Sequence, residues 1–134
     1  MYQAALKTYE SVAKSTLSGR EIEADVLTKA ALKLKDCQTH WDAADRSAKL
    51  DQALRLNQRV WSILQAEIGK KENPLPEKLK IDLLRLSAFI DKRIFEIMAY
   101  PAPEKLTIII NINNNIAAGL RTRPDSAEAP VAAA

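Results

Sequence analysis

The chain has 134 residues, of which 47% are hydrophobic and 28% charged, and it carries a net charge of +3 at pH 7. This composition excludes an extended disordered or collagen-like chain. The charge is weak and its basic residues are interleaved with acids, so it does not argue for nucleic-acid binding. The one cysteine cannot form an internal disulfide and favours a reducing compartment, so we expect a cytoplasmic protein. No apolar run approaches the roughly 18 residues of a membrane span, and no signal-peptide core is evident, so we expect no membrane contact.

Apolar residues recur at helical spacing from the start of the chain. The stripe from Tyr2 to Thr16 predicts a first helix. Ser18 and Glu21 match a capping box, in which a hydroxyl and a carboxylate satisfy free backbone donors, and predict a second helix from about 19 to 40. Cys37 falls on the apolar stripe of this helix, and we expect it to be buried.

Two longer helices follow. The third is predicted from about Ser47 to Ile68, where Gly69 stops it, and the fourth from Pro76 to about Met98. The fourth is apolar on two opposed faces. One face contains Leu79, Leu83, Leu86, Ile90, Ile94 and Ile97, and the other contains Ile81, Leu84, Ala88 and Phe95. A helix with two apolar sides is normally sandwiched, so we expect it to be central.

The segment LTIIININNNIAAGL (106–120) can be interpreted in two ways. As a strand, it would place Ile108, Ile110 and Ile112 on one face, but no other segment reads as a strand that could pair with it. As a helix, it has one apolar stripe interrupted by Asn113, with three other asparagines facing away. The helix is favoured, because burial overrides the small helical cost of β-branched residues.

Asn57 interrupts the stripe of the third helix in the same way as Asn113 interrupts the last one. A buried amide must find hydrogen-bond partners. We therefore treat Asn57 and Asn113 as candidate buried polar residues that fix the register of the helices and lie close to one another. The alternative is that each amide bonds to a nearby backbone carbonyl or to water.

Together these patterns predict an all-α fold, a compact helical bundle of about five helices. We expect one domain over residues 1–121. The tail 122–134 has two prolines and no apolar periodicity, so we expect it to be disordered.

No catalytic, metal-binding or cofactor-binding pattern is recognisable in the sequence. With one histidine and one cysteine, only Cys37 and His40 could form a nucleophile–base pair, and no third group is indicated. Zinc would need three or four suitable ligands, and phosphate a glycine-rich loop. We therefore expect no enzyme, no cofactor and no metal site.

The charged side of the fourth helix is the candidate partner-binding face. An aromatic ring among mixed charges is typical of a protein-binding hot spot. The alternative is that Phe89 leans into the edge of the core. The residues of this candidate face are Asp82, Arg85, Phe89, Lys92, Arg93 and Glu96.

Several ordered blocks resemble one known family. The longest is NPLPEKLKIDLLRLSAFIDKRIFEIMAYPAPEKL, preceded by REIEADVLTKAALKL and ALRLNQRVW and followed by ININNNIAAGL. In order and spacing these blocks are similar to the flagellar biosynthesis regulator family FlaF of alphaproteobacteria, from about Tyr2 to Leu120.

The resemblance implies a non-enzymatic, cytoplasmic positive factor for flagellin synthesis and secretion, which binds flagellin as a chaperone. It implies an action opposed to the flagellin-mRNA regulator FlbT, which is a further candidate partner. The alternative is a post-transcriptional regulator of flagellin mRNA translation that acts with or against FlbT. Modules for single-stranded RNA expose stacking aromatics beside basic residues. Aromatics are only 5% of this chain, so RNA contact is not favoured.

Overall fold

The computed structural model describes residues 18–121, and these residues form helices and no strand. The all-α prediction is confirmed for this part of the chain. The predicted first helix and the predicted disordered tail lie outside the described residues. The elements are α1 (Ser18–Thr39), α2 (Arg46–Ile68), α3 (Glu77–Ala99), a 3-10 turn (Pro103–Leu106) and α4 (Thr107–Leu120).

The main core lies between α1, α2 and α4. Helix α1 packs against both α2 and α4, while α3 packs chiefly against α2. Small residues on α1, including Ala24, Ala30 and Ala31, are buried and let the neighbouring helices approach closely. The apolar stripe predicted for α2 is entirely buried, comprising Leu50, Ala53, Leu54, Asn57, Val60, Trp61 and Leu64.

The prediction that the fourth helix is central is wrong for the described residues. One face of α3 does enter the core, through Ile90, Ile94 and Ile97. The opposite face is exposed, and its members are Ile81, Leu84, Ala88 and Phe95. Helices α1 and α2 have two neighbours each instead, since α1 packs against α2 and α4, and α2 packs against α1 and α3. Buried alanines on α1 and α2 allow this close packing.

The isoleucine–asparagine segment is helical, as predicted, and the strand interpretation is wrong. Ile109 and Ile110 are buried, whereas Asn111, Asn114 and Asn115 are exposed. Strict alternation of burial, which a strand would show, is absent within this segment. Burial of the isoleucines outweighs the few tenths of a kcal/mol that β-branched side chains cost in a helix.

An asparagine, rather than a left-handed glycine, organises the turn between α2 and α3. Gly69 follows α2 with a φ of −74°, which any residue can adopt. The side-chain amide of Asn73 donates to the backbone carbonyl of Glu67 at 3.0 Å, and its Oδ1 accepts the Leu75 N–H at 3.0 Å. Pro76 then precedes α3 as its N-cap instead of occupying the first helical position.

Candidate functional site

The outward surface of α3 carries the candidate partner-binding face. Five of its six side chains, those of Asp82, Arg85, Phe89, Lys92 and Glu96, are exposed, and Arg93 is half-buried. The Phe89 side chain is 39% exposed and does not belong to the core. All six project from one side of the helix, because α3 turns Ile90, Ile94 and Ile97 towards α2.

Arg93 contacts both Phe89 and Glu96. The Arg93 guanidinium carbon lies 5.6 Å from the centroid of the Phe89 ring, and Arg93 Nη1 donates to Glu96 Oε1 at 3.0 Å. Lys105 Nζ lies 3.8 Å from the other Glu96 oxygen. Exposed contacts of these kinds contribute about 0.3–1 kcal/mol each, which is enough to orient the ring but not to bury it.

The other members of the face are not joined to this group. Asp82, Arg85 and Lys92 form no ion pair or side-chain hydrogen bond within residues 18–121. Their charges are therefore available to a partner. The structure thus brings three of the six predicted residues together and leaves three as separate charges on the same side.

Sequence reasoning missed that α3 also exposes an apolar row. The row consists of Ile81, Leu84, Ala88 and Phe95, and Phe95 is 61% exposed. We call it the outer apolar row. The signal was present in the sequence, because the row is the second apolar face of this helix. The missing information was that no element within the described residues covers it.

The two candidate buried asparagines meet in the core. Both are fully buried, and Asn113 Nδ2 donates to Asn57 Oδ1 at 2.7 Å. Asn57 Nδ2 donates to the carbonyls of Ala53 and Ala30, at 2.9 and 3.2 Å. Amide–amide and amide–backbone bonds therefore coexist, and they connect α2 and α4 with the backbone of α1.

Trp61 completes this buried network, and its part in the network was not predicted from the sequence. Its Nε1 donates to Asn113 Oδ1 at 2.9 Å. The available signal was spacing, since Trp61 lies four residues after Asn57 and so shares its face of α2. With the Trp61 donor paired, both oxygen atoms of the two amides have a hydrogen-bond partner.

A second polar contact joins α3 to α2. Gln65 Nε2 donates to the hydroxyl of Ser87, which is fully buried, and lies 3.3 Å from Asp91 Oδ2. This contact was also missed by sequence reasoning. Together with the buried Ile90 and Ile94, this contact helps to hold the rotation of α3 about its own axis.

Cys37 is a buried core side chain, as predicted. Burial is the largest cause that raises the pKa of its thiol, and the nearby Asp36 carboxylate raises that pKa further. The neutral thiol is therefore favoured, which is unsuited to nucleophilic catalysis. His40 Nδ1 lies 3.1 Å from Asp36 Oδ1. The depression beside Cys37 has a volume of only about 180 Å³.

The family of the chain follows from its match to a family model. The model described as flagellar protein FlaF matches residues 5–120. The chain belongs to the FlaF family. No curated protein and no solved structure matches it.

The FlaF match spans nearly all the described residues, including every residue of the candidate face and the outer apolar row. Its description names a flagellar protein and no enzymatic activity. Residues 18–121 contain no grouping of three histidine, cysteine or carboxylate side chains suited to a metal ion. Within the same residues, each helix is too short or too polar to cross a bilayer.

Proposed function

We propose that this FlaF-family chain is a non-enzymatic flagellin-binding protein that acts as a chaperone in the cytoplasm, before flagellin is exported. The observation that carries the proposal is the outward surface of α3. It combines an exposed aromatic side chain, Phe89, with charges that have no partner within residues 18–121. The family description, flagellar protein, supports a flagellar client for this surface.

The side chains exposed on α3 favour an amphipathic partner. Aromatic and arginine side chains are enriched among the residues that dominate protein-binding energy, and the Arg93 guanidinium lies over the Phe89 ring in a cation–π contact. The terminal regions of flagellin are amphipathic helices, which commonly bind by laying an apolar face on a complementary surface. A chaperone that covers such a face before export would prevent premature assembly.

The rigidity of the rest of the domain suits this role. The asparagine network holds α1, α2 and α4 together, and the Gln65–Ser87 contact orients α3 on α2. The binding surface is therefore presented by a preorganised scaffold, which reduces the ordering cost of association.

Titration of purified monomeric flagellin tests the proposal. We expect a dissociation constant in the low micromolar range or tighter. Phe89→Ala should weaken binding by about 2 kcal/mol, roughly thirtyfold, because it truncates a hot-spot aromatic. The same change should cost about 1–2 kcal/mol of folding stability, less than the roughly 3–5 kcal/mol of a core phenylalanine, since Phe89 is 39% exposed.

The matched control is Leu32→Ala on α1. Leu32 is 61% exposed and lies on α1, which packs against α2 and α4 and is not part of the candidate face, so this variant should bind flagellin normally. Absence of flagellin binding by the wild-type chain would refute the proposal. Binding of flagellin mRNA instead, with loss of that binding in Phe89→Ala, would favour the regulator of translation. Recovery of FlbT as the bound protein would favour an action through that regulator.

A further inference from the structure

Helix α3 carries a basic row beside the outer apolar row. Lys78, Arg85 and Lys92 recur at intervals of seven residues, and all three are exposed. None of them forms an ion pair within residues 18–121, unlike Lys49, Arg55, Lys70, Arg93, Lys105 and Arg121. We call these three residues the basic row.

The outer apolar row has the spacing of a helix-pairing seam, and we call the side of α3 that carries it the seam. Ile81, Leu84, Ala88 and Phe95 are separated by three, four and seven residues. In coiled coils this heptad spacing identifies the positions that contact a partner helix, and the basic row then occupies the flanking position that selects the partner by charge. The row extends for about 21 Å, at 1.5 Å per residue.

The far edge of the outer apolar row is bordered by α2. Phe95 and Asp91 line a groove of about 480 Å³ with Arg55, Gln58, Arg59 and Ser62 of α2. A helix laid on the outer apolar row would therefore have the basic row on one side. On the other side it would meet Arg55 and Arg59 of α2 together with the Asp91 carboxylate of α3. Arg55 is already paired with Asp51 at 2.9 Å, so the charge preference rests on the basic row.

We propose that this seam binds an amphipathic helix whose apolar face is bordered by aspartates and glutamates. The acidic border would pair with the basic row, and the apolar face would cover Ile81, Leu84 and Phe95. The inference goes beyond the proposed function, because it specifies the chemistry of the partner helix and does not require that the partner be flagellin.

Charge disfavours a second copy of this chain on the seam. In an antiparallel pair the same flanking rows face each other, so the basic row of one α3 would lie against the basic row of the other. In a parallel pair the basic row of one α3 would lie against the opposite flank of the other α3. On α3 that flank contains Ser87 and Ile94, which are already buried in the chain's own core.

Two matched peptides test the inference. Each is a labelled helix of about three heptads with leucine at the seam positions, and the flanking positions are glutamate in one and lysine in the other. The full chain should bind the glutamate-edged peptide at least about tenfold more tightly than the lysine-edged one. This preference should shrink as the salt concentration rises.

Variants of exposed residues test the outer apolar row and the basic row independently. Phe95→Ser should weaken binding of the glutamate-edged peptide, while Leu32→Ser, at the same 61% exposure on α1, should leave it unchanged. Arg85→Glu should reverse or remove the preference for glutamate. Circular dichroism of each variant should match the wild type, since all three substituted side chains are exposed.

Three results would overturn the inference. The first is equal affinity for the two peptides, or no effect of Phe95→Ser. The second is a concentration-dependent dimer of the wild-type chain that Phe95→Ser dissociates, which would make the seam a homodimer interface. The third is binding of a single-stranded RNA oligonucleotide that Arg85→Glu abolishes, with no binding of the glutamate-edged peptide.

Discussion

Substitution of the two buried asparagines should reveal a strongly coupled pair. Asn113→Ala removes the donor to Asn57 Oδ1 and the acceptor of Trp61 Nε1, and both of these atoms belong to fully or almost fully buried residues. Each stranded group costs about 1–3 kcal/mol, so the free energy of unfolding should fall by about 2–6 kcal/mol. Asn115→Ala, on the exposed face of the same helix, should change it by less than about 0.5 kcal/mol.

The double variant shows whether the hydrogen bond between Asn113 and Asn57 couples the two residues in stability. Asn57→Ala alone removes the acceptor of Asn113 Nδ2. Since each single variant loses the same amide–amide bond, the double variant should be about 1–3 kcal/mol less destabilised than the sum of the singles. Urea denaturation followed by circular dichroism measures all four proteins. Additive effects within about 0.5 kcal/mol would refute the coupling and, with it, the proposed role in fixing register.

Three further predictions concern the rest of the fold. Ile109→Asp should destabilise the domain by several kcal/mol, because it places a carboxylate at a fully buried position of α4; stability close to that of the wild type would contradict the helical register. Asn73→Ala should lower the unfolding free energy by about 1 kcal/mol through loss of its two turn hydrogen bonds, whereas an unchanged urea midpoint would show that the turn does not need them. Burial raises the pKa of the Cys37 thiol, so the folded state favours the neutral thiol. The stability that this preference contributes is fully present below the pKa of the unfolded thiol, about 8.5, and is lost as pH rises through the pKa of the folded thiol. As pH rises above about 8.5, the wild type should therefore lose more stability than Cys37→Ala, and parallel pH profiles would show that burial does not perturb the thiol.

Periodicity in the sequence was sufficient to identify the helices and most of their buried faces. The stripe on α2 and the interrupted stripe on α4 could be predicted because a run of apolar side chains at 3.6-residue spacing has one stable solution, which is burial of that face. The polar position in each stripe was also visible, since Asn57 and Asn113 occupy otherwise apolar rows.

Periodicity could not tell which of two apolar faces meets a neighbour. On α3, Ile90 and Ile94 contact the core while Ile81 and Phe95 do not, although the two faces are similar in sequence. The choice depends on how α1, α2 and α4 fill the centre, which is a property of the whole packing. For the same reason the hydrogen bond from Trp61 to Asn113, between residues 52 apart, could not be anticipated from spacing alone.

The exposure of the second apolar face of α3 has a functional meaning. An apolar face that the chain's own described residues leave uncovered indicates where a partner can bind, because contiguous exposed apolar surface commonly marks interaction sites. The candidate face and the outer apolar row lie on adjacent sides of α3, and they share Arg85 and Lys92 as a border. One helix therefore carries both of the surfaces proposed for partners.

Hydrogen–deuterium exchange with and without flagellin tests the central claim, that α3 is the flagellin-binding element, most directly. Because α3 packs chiefly against α2, its backbone amides should exchange faster than those of α1 in the free protein. We predict that saturating flagellin slows exchange across residues 77–99 and leaves α1 little changed. Flagellin binding with protection confined to α1 and α4, or no protection anywhere in residues 18–121, would contradict the account.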